Sequence, residues 1–387
     1  MGIQMMKKNF LPEQYRQSGR HEINHCYLRQ QFADYQDIFA KIEQLIINED
    51  YTLGEEVDLF EKNFARATGS TYALGVGSGT DALFLSLKAL DLPAAAEVIT
   101  TPYTFFATVG AIATAGARPV FVDIGDDYNI DAERIEAAIT PRTKAIMPVH
   151  WAGLPCDMEK ILAIGQQYSL PIIADAAHAI SAEIAGRPAG SFGATACFSM
   201  HPLKNLNVWG DGGVVVTSNK ELYEKILLLR NHGLINRNEC AIYGFNSRLD
   251  TLQAIVANHA MKKLEHLTTA RIKNAALLDQ LLRDIPAITI PPRCSEKKQV
   301  YHLYIVRAER RDELVRYLQS VSIDAKVHYP IPMHLQPAAR YLNYRAGDFP
   351  RCEAIVSEVL SLPIHEFIDQ GQLEFVADKI REFYHGR

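Results

Sequence analysis

Between about residues 70 and 220, short apolar runs alternate with stretches whose apolar positions recur three and four apart. That alternation is the pattern of a mainly parallel sheet covered by helices. It predicts seven strands, over 72–76, 98–101, 119–122, 145–149, 171–174, 194–199 and 213–217. Two helices precede them, at 38–47 and 55–68, the second marked by Val57, Phe60, Phe64 and Ala67 on one face. A long helical stretch from 250 to 285 follows and reads as a connection between domains. Beyond Pro286 the pattern becomes α+β, with strands at 300–306 and 325–328 and helices at 311–321, 351–360 and 373–383. The expected architecture is α/β, divided into an extension (1–26), a large domain (27–249) and a connecting helix with a small C-terminal domain (250–387).

Composition narrows the class. The 387 residues are 48% hydrophobic and 22% charged, as in ordinary soluble globular proteins. A net charge of -5 without a cluster of basic residues makes nucleic acid an unexpected partner. Six scattered cysteines without a C-x-x-C pair argue against a zinc ribbon, an iron–sulfur site or a disulfide framework, and fit a reducing compartment. The first residues, Met1 to Lys8, lack the apolar stretch of a signal peptide, and no window approaches a spanning helix. These features predict a cytoplasmic protein with no membrane partner.

The chemistry starts at Lys204, just beyond the apolar run that ends Cys197-Phe198-Ser199 and before Gly210-Asp211-Gly212-Gly213. A lysine between a buried strand and a glycine hairpin is partly withdrawn from water, which lowers its pKa and makes it a nucleophile able to form a Schiff base. Upstream, the apolar strand Ile172-Ile173-Ala174 ends on Asp175, with His178 three residues later. An acid at the carboxyl end of such a strand sits where open α/β sheets bind ligands. In Gly75-Val76-Gly77-Ser78-Gly79-Thr80-Asp81 a strand gives way to a helix capped by Ser78 or Thr80, which suits a phosphate or a plain structural turn. It is a poor dinucleotide fingerprint, because Thr80 stands where the third glycine belongs. Tyr103 or Phe105, in the aromatic loop after the second strand, is suited to stack on a planar cofactor or to pack in the core. Together, a phosphate cradle, a stacking ring, a strand-end Asp, the Ser199 hydroxyl and an amine nucleophile meet the needs of pyridoxal 5′-phosphate (PLP). His302, His328 and His334 are the other notable histidines; no carboxylate or cysteine completes a metal set with them, and a substrate loop or surface explains them better.

Seven motifs occur in the order seen in DegT-type sugar aminotransferases, a family of fold-type I PLP enzymes. They are Tyr51-Thr52-Leu53-Gly54 with Phe60-Glu61, Gly77 to Leu83, Tyr103 to Thr108, Asp175-Ala176-Ala177-His178, Phe198-Ser199 with Lys204-Asn205, Gly210 to Gly213, and Asn246-Ser247-Arg248-Leu249-Asp250. The chain resembles that family from about residue 27 onward. The resemblance implies that Lys204 holds PLP, Asp175 pairs with the pyridine nitrogen and Phe105 stacks on the ring. It implies phosphate binding by Gly79, Thr80 and Ser199, with Asn246 reaching the phosphate from the partner subunit of a homodimer. His178 stands where most members have glutamine and would donate to the ring oxygen; Tyr329 and His334 match a loop near the sugar. Met200-His201 departs from the usual pair at that place.

The implied reaction is amino transfer from L-glutamate to a nucleotide-linked keto-sugar. The Asn246 to Asp250 motif is more similar to members acting at the C3 ketone of 3-keto-6-deoxy sugars than to those acting at C4. Three other readings are weighed: C4 amination, a PLP-binding regulator without turnover, and a nucleotide-sugar dehydrogenase. The last leaves Lys204 unexplained.

Overall fold

The structure, a computed structural model, describes residues 21–386. Most of the leading segment therefore lies outside the described residues, but its end does not. Ile23 bridges to Ile323 and is buried in the C-terminal core.

Seven strands build the main sheet. They are β1 (Tyr72–Val76), β2 (Glu97–Thr100), β3 (Arg118–Phe121), β4 (Thr143–Ile146), β5 (Ile173–Asp175), β8 (Thr195–Ser199) and β9 (Gly213–Thr217), with the small hairpin β6 (Glu183–Ile184) and β7 (Arg187–Pro188) between β5 and β8. The spatial order is β1-β9-β8-β5 on one side and β4-β2-β3 on the other, joined by parallel bridges Ile146 to Ile172 and Val149 to Asp175. Only β9 runs against the rest, paired antiparallel to β1 and β8. β2, β4, β5 and β8 are buried along almost their whole length, as strands with helices on both faces must be. The expected strands are all present, within two or three residues at their ends. Because β1, β2, β4, β5 and β8 point the same way, their carboxyl ends deliver Gly77, Thr101, His150, Ala176 and Met200 to one side of the sheet.

The helical stretch after Asp250 is two helices, Thr251–Met261 and Leu264–Leu282, where one was expected. The break follows from burial. Ala254, Ile255, Ala257 and Ala260 face the large-domain core, whereas Ala275, Leu278 and Leu282 face the C-terminal core, so one straight stripe could not serve both.

The C-terminal sheet holds β10 (Ile288–Thr289), β12 (Tyr304–Ala308) and β13 (Val359–Leu362), while the two-residue β11 (Lys297–Lys298) pairs with β6. Two expectations differ here. The helix read at 351–360 ends at Glu358, because Val359, Leu360 and Leu362 are buried and pair with β12. The strand read at 325–328 is a single bridge, Lys326 to Ser361. A further apolar cluster joins the two parts, with Tyr103, Phe121 and Trp151 on one side and Leu303, Met333 and Phe349 on the other. The cleft described next lies at that seam.

Candidate active site

The turn carrying Lys204 is closed by backbone bonds. Met200 N–H donates to Gly212 O at 2.8 Å, Val208 N–H to Met200 O at 3.0 Å and Lys204 N–H to His201 O at 2.8 Å. The next residue ties the turn to the C-terminal part, as Asn205 Nδ2 donates to Val300 O at 3.0 Å. Val300 N–H donates to Gly153 O at 3.1 Å, so both backbone groups of Val300 are engaged by the large domain. Lys204 is deep among protein atoms yet keeps some accessible surface. Burial lowers its ammonium to about 8, and the Asp175 carboxylate opposes that shift.

Asp175 ends β5 and is 4% exposed. Its Oδ2 accepts from the Thr108 hydroxyl at 2.7 Å, and its Oδ1 accepts from Ala177 N–H at 3.1 Å. Thr108 Oγ1 lies 2.6 Å from Thr104 Oγ1, so Thr104 donates to it when Thr108 donates to Asp175. Burial pushes the Asp175 carboxyl up; the Thr108 and Ala177 bonds and Lys204 pull it back. The role of Thr108 as support for this acid was not legible in the sequence, although the motif containing it was.

The glycine-rich turn leads into the helix Gly79–Ala89, whose N-cap Ser78 accepts from Asp81 N–H at 3.1 Å. A Cβ on Gly79 would fall 2.6 Å from Ser199 Cβ, so the absence of a side chain brings the helix start against the end of β8. This contact places Gly79 and Ser199 together beside first-turn N–H groups that lack intrahelical partners. Thr80 is exposed at the same turn. Ser247 steadies it, accepting from Gly77 N–H at 3.2 Å and donating to Asp81 Oδ2 at 2.9 Å. Asn246, its neighbour, points to the surface. Behind the turn Gly75 N–H donates to Glu61, and Arg230 pairs with Glu61 and donates to Gly75 O at 2.8 Å.

Of the two aromatic candidates, the structure separates the roles. Tyr103 is core: 1% exposed, its hydroxyl donates to His328 O at 2.6 Å and its ring lies 4.6 Å from that of Trp151. Phe105 is 45% exposed at the start of helix Phe106–Thr114 and stands 5.6 Å from the Tyr329 ring. Trp151 bridges inward, 5.7 Å from Tyr329 and 5.2 Å from His178.

His178 is buried, with His302 stacked against it at 4.2 Å. The field of Lys204 reaches His178, His302 and His328, and burial depresses all three imidazoles. His334 is placed differently from the expectation. It is 2% exposed, its Nε2 is 3.0 Å from Glu353 Oε1 and its ring packs on Phe349 at 4.7 Å. The apolar seam around Phe349 draws it inward, and His328 is the histidine of this loop that lies in the field of Lys204.

The arrangement combines an amine of lowered pKa, a buried acid, an anion cradle and a ring at the mouth, which is the equipment for holding a phosphorylated electrophilic cofactor. Comparison with known proteins agrees. The sequence profile of the DegT/DnrJ/EryC1/StrS aminotransferase family matches residues 33–381. The chain belongs to this family, and so to the PLP-dependent sugar aminotransferases. It is 39% identical over 345 residues to the dTDP-3-amino-3,4,6-trideoxy-alpha-D-glucose transaminase of Streptomyces venezuelae, covering 89% of this chain and 91% of that one. It is also 39% identical over 351 residues to a pleiotropic regulatory protein of Geobacillus stearothermophilus, covering 90% and 94%. The crystal structure of S. venezuelae DesV in complex with a ketimine intermediate superposes with a TM-score of 0.91 at 37% identity, covering 94% of this chain and 98% of that one. Several relatives are named for nucleotide-sugar substrates. Among the described residues no helix is long and apolar enough to cross a membrane.

Proposed function

We propose that this chain transfers the amino group of L-glutamate to the C3 ketone of a nucleotide-linked 3-keto-6-deoxy sugar, as a cytoplasmic homodimer using PLP. The observation that carries the reading is a buried Asp175 held by Thr108 and Ala177 N–H, with its carboxylate acting on the Lys204 ammonium that burial lowers to about 8. The residues present fit the cofactor: the Gly79 cradle is filled by any Cβ, and its neighbour Ser199 offers a hydroxyl there.

When bound, PLP supplies an aldehyde that amines attack and a ring that accepts electrons. Lys204, attacking as a neutral amine, would hold it until the donor's amine takes its place, and the freed amine would then take the proton from the donor Cα and return one to the acceptor carbon. Asp175 keeps a positive charge favourable at the ring nitrogen, and Thr108 holds the carboxylate in place. Gly79, Thr80 and Ser199 bind the phosphate, with Asn246, exposed on its own chain, contributed across the dimer. Phe105, beside Tyr329, would cover the ring, His178 would donate to its oxygen and Tyr329 would face the sugar. We assign His334 to bracing the Tyr329 loop through Glu353. The division into domains at residues 27 and 250 is retained, with the end of the leading segment docked on the smaller one.

C3 rather than C4 is supported by the name of the S. venezuelae relative, a 3-amino sugar transaminase. The test is a panel of 3-keto and 4-keto nucleotide sugars with L-glutamate, following 2-oxoglutarate. Amination of 3-keto sugars is expected; reaction with 4-keto sugars alone would reverse the regiochemistry. One relative's regulatory name favours the reading of a silent PLP-binding regulator. Failure of L-glutamate to bleach the visible band of the PLP-loaded chain would support that reading instead.

A further inference from the structure

Two imidazoles, His302 and His328, stand near His178, and none of the three has its full complement of partners. The Nδ1 atoms of His178 and His302 are buried with no hydrogen-bond partner among the described residues. A proton there would be buried and unsatisfied, so the neutral rings carry it on Nε2. Neither Nε2 has a described partner, and neither is among the sealed, unpartnered atoms. His328 is similar: Nδ1 is 2.9 Å from Ser361 Oγ, which leaves Nε2. His302 and His328 are only half-buried, so part of each faces open space.

Cations act on each of the three rings. Lys204 and Arg271 act on His302, together with His178 and His328. Lys326 and Lys204 act on His328, and Lys204 and His328 act on His178. His25, on the leading segment, stands edge-on to His328 at 6.0 Å. The carboxylates nearby are engaged: Asp175 with Thr108 and Ala177, Asp324 with Lys326 at 3.0 Å, and Glu366 with Arg271 at 2.9 Å. Imidazole donors in a basic surrounding, with no carboxylate of their own, are complementary to an anion. Arg271 is not free to receive it, since it also donates to the carbonyls of Tyr301 and Ile364.

We propose that His302, assisted by His328, binds a carboxylate of the amino-acid donor. This rests on the function proposed above, in which His178 serves the cofactor and Lys204 the donor's Cα. The anion accepts from the Nε2–H donors of the neutral rings, because a proton on the buried, unpartnered Nδ1 of His302 would be left unsatisfied.

The experiment uses the PLP-loaded full chain and glutarate, the five-carbon dicarboxylate that lacks an amine, with calorimetric titration at pH 7.5. His302→Phe, which keeps a ring against His178 but loses both nitrogens, is expected to weaken glutarate binding by about tenfold or more. His302→Gln, which restores a donor, is expected to recover part of that loss. In the half-reaction with L-glutamate, His302→Phe should raise the half-saturating concentration similarly while leaving the maximal rate within about threefold. Equal glutarate affinity in wild type and His302→Phe, with the visible band intact, would overturn the subsite and leave the aminotransferase reading standing. Binding of D-glucuronate in place of glutarate, lost in the variant, would move the carboxylate to the sugar and overturn the donor assignment. Absence of any band after added PLP would remove the functional reading itself, and this subsite with it.

Discussion

The hydroxyl of Thr108 donates to Asp175 Oδ2 at 2.7 Å, joining the helix after β2 to the end of β5. This bond opposes the burial that pushes the carboxyl toward its neutral form. A hydrogen bond to a charged group is worth about 1.5–3 kcal/mol. Thr108→Val is therefore expected to reduce cofactor affinity by about tenfold or more, and Thr108→Ser to restore most of it. Titration of the cofactor-free chain with PLP, read by the visible band, checks this.

Cofactor capture should follow the titration of Lys204. Below about 8 the amine is protonated; as pH rises through that value the nucleophilic neutral fraction grows. The rate of band formation on adding PLP is expected to climb roughly tenfold per unit at lower pH and to level above about 8, whereas a solvated lysine would not level until about 10.4. Asp175→Asn removes the charge that holds the value up, so its midpoint should lie lower. A stopped-flow series across pH 6 to 10 distinguishes these cases.

Phe105 and Tyr103 should separate cofactor binding from folding. Phe105 is 45% exposed, so its replacement by alanine should change stability by no more than about 0.5 kcal/mol. Lost stacking, about 0.5–1.5 kcal/mol, should still lower PLP affinity severalfold. Tyr103→Ala, at 1% exposure, should cost about 3–5 kcal/mol of stability by analogy with large aromatic truncations. Chemical denaturation beside PLP titration gives both quantities.

Arg230 and Glu61 form a buried pair behind the glycine-rich turn. Burial pushes the Glu61 carboxyl up even with the arginine present. Arg230→Met strands that acid and should cost about 3–5 kcal/mol. Adding Glu61→Gln should return much of the loss, and the single variant should regain stability as pH falls and Glu61 takes a proton. Urea unfolding at pH 5.5 and 7.5 tests both.

The sheet was legible because its strands are short apolar runs set between helical patterns, β8 and β9 among them, and the Lys204, Asp175 and Gly79 motifs were legible because each is local in sequence. What escaped depended on distant packing. Val359 and Leu360 read as the end of a helix because their pairing with β12 is set by tertiary contact. His334 carried the same loop signature as His328, and only the Phe349 cluster decides which of them turns inward. His302 was visible merely as a histidine; its meaning comes from His178, far away in the chain.

Val300 is held by Gly153 through its N–H and by Asn205 through its carbonyl. Asn205 follows Lys204, and His302 lies two residues beyond Val300. The lysine and the imidazole are thus gauged against one shared residue, whose two backbone bonds set the C-terminal part against the turn that carries Lys204.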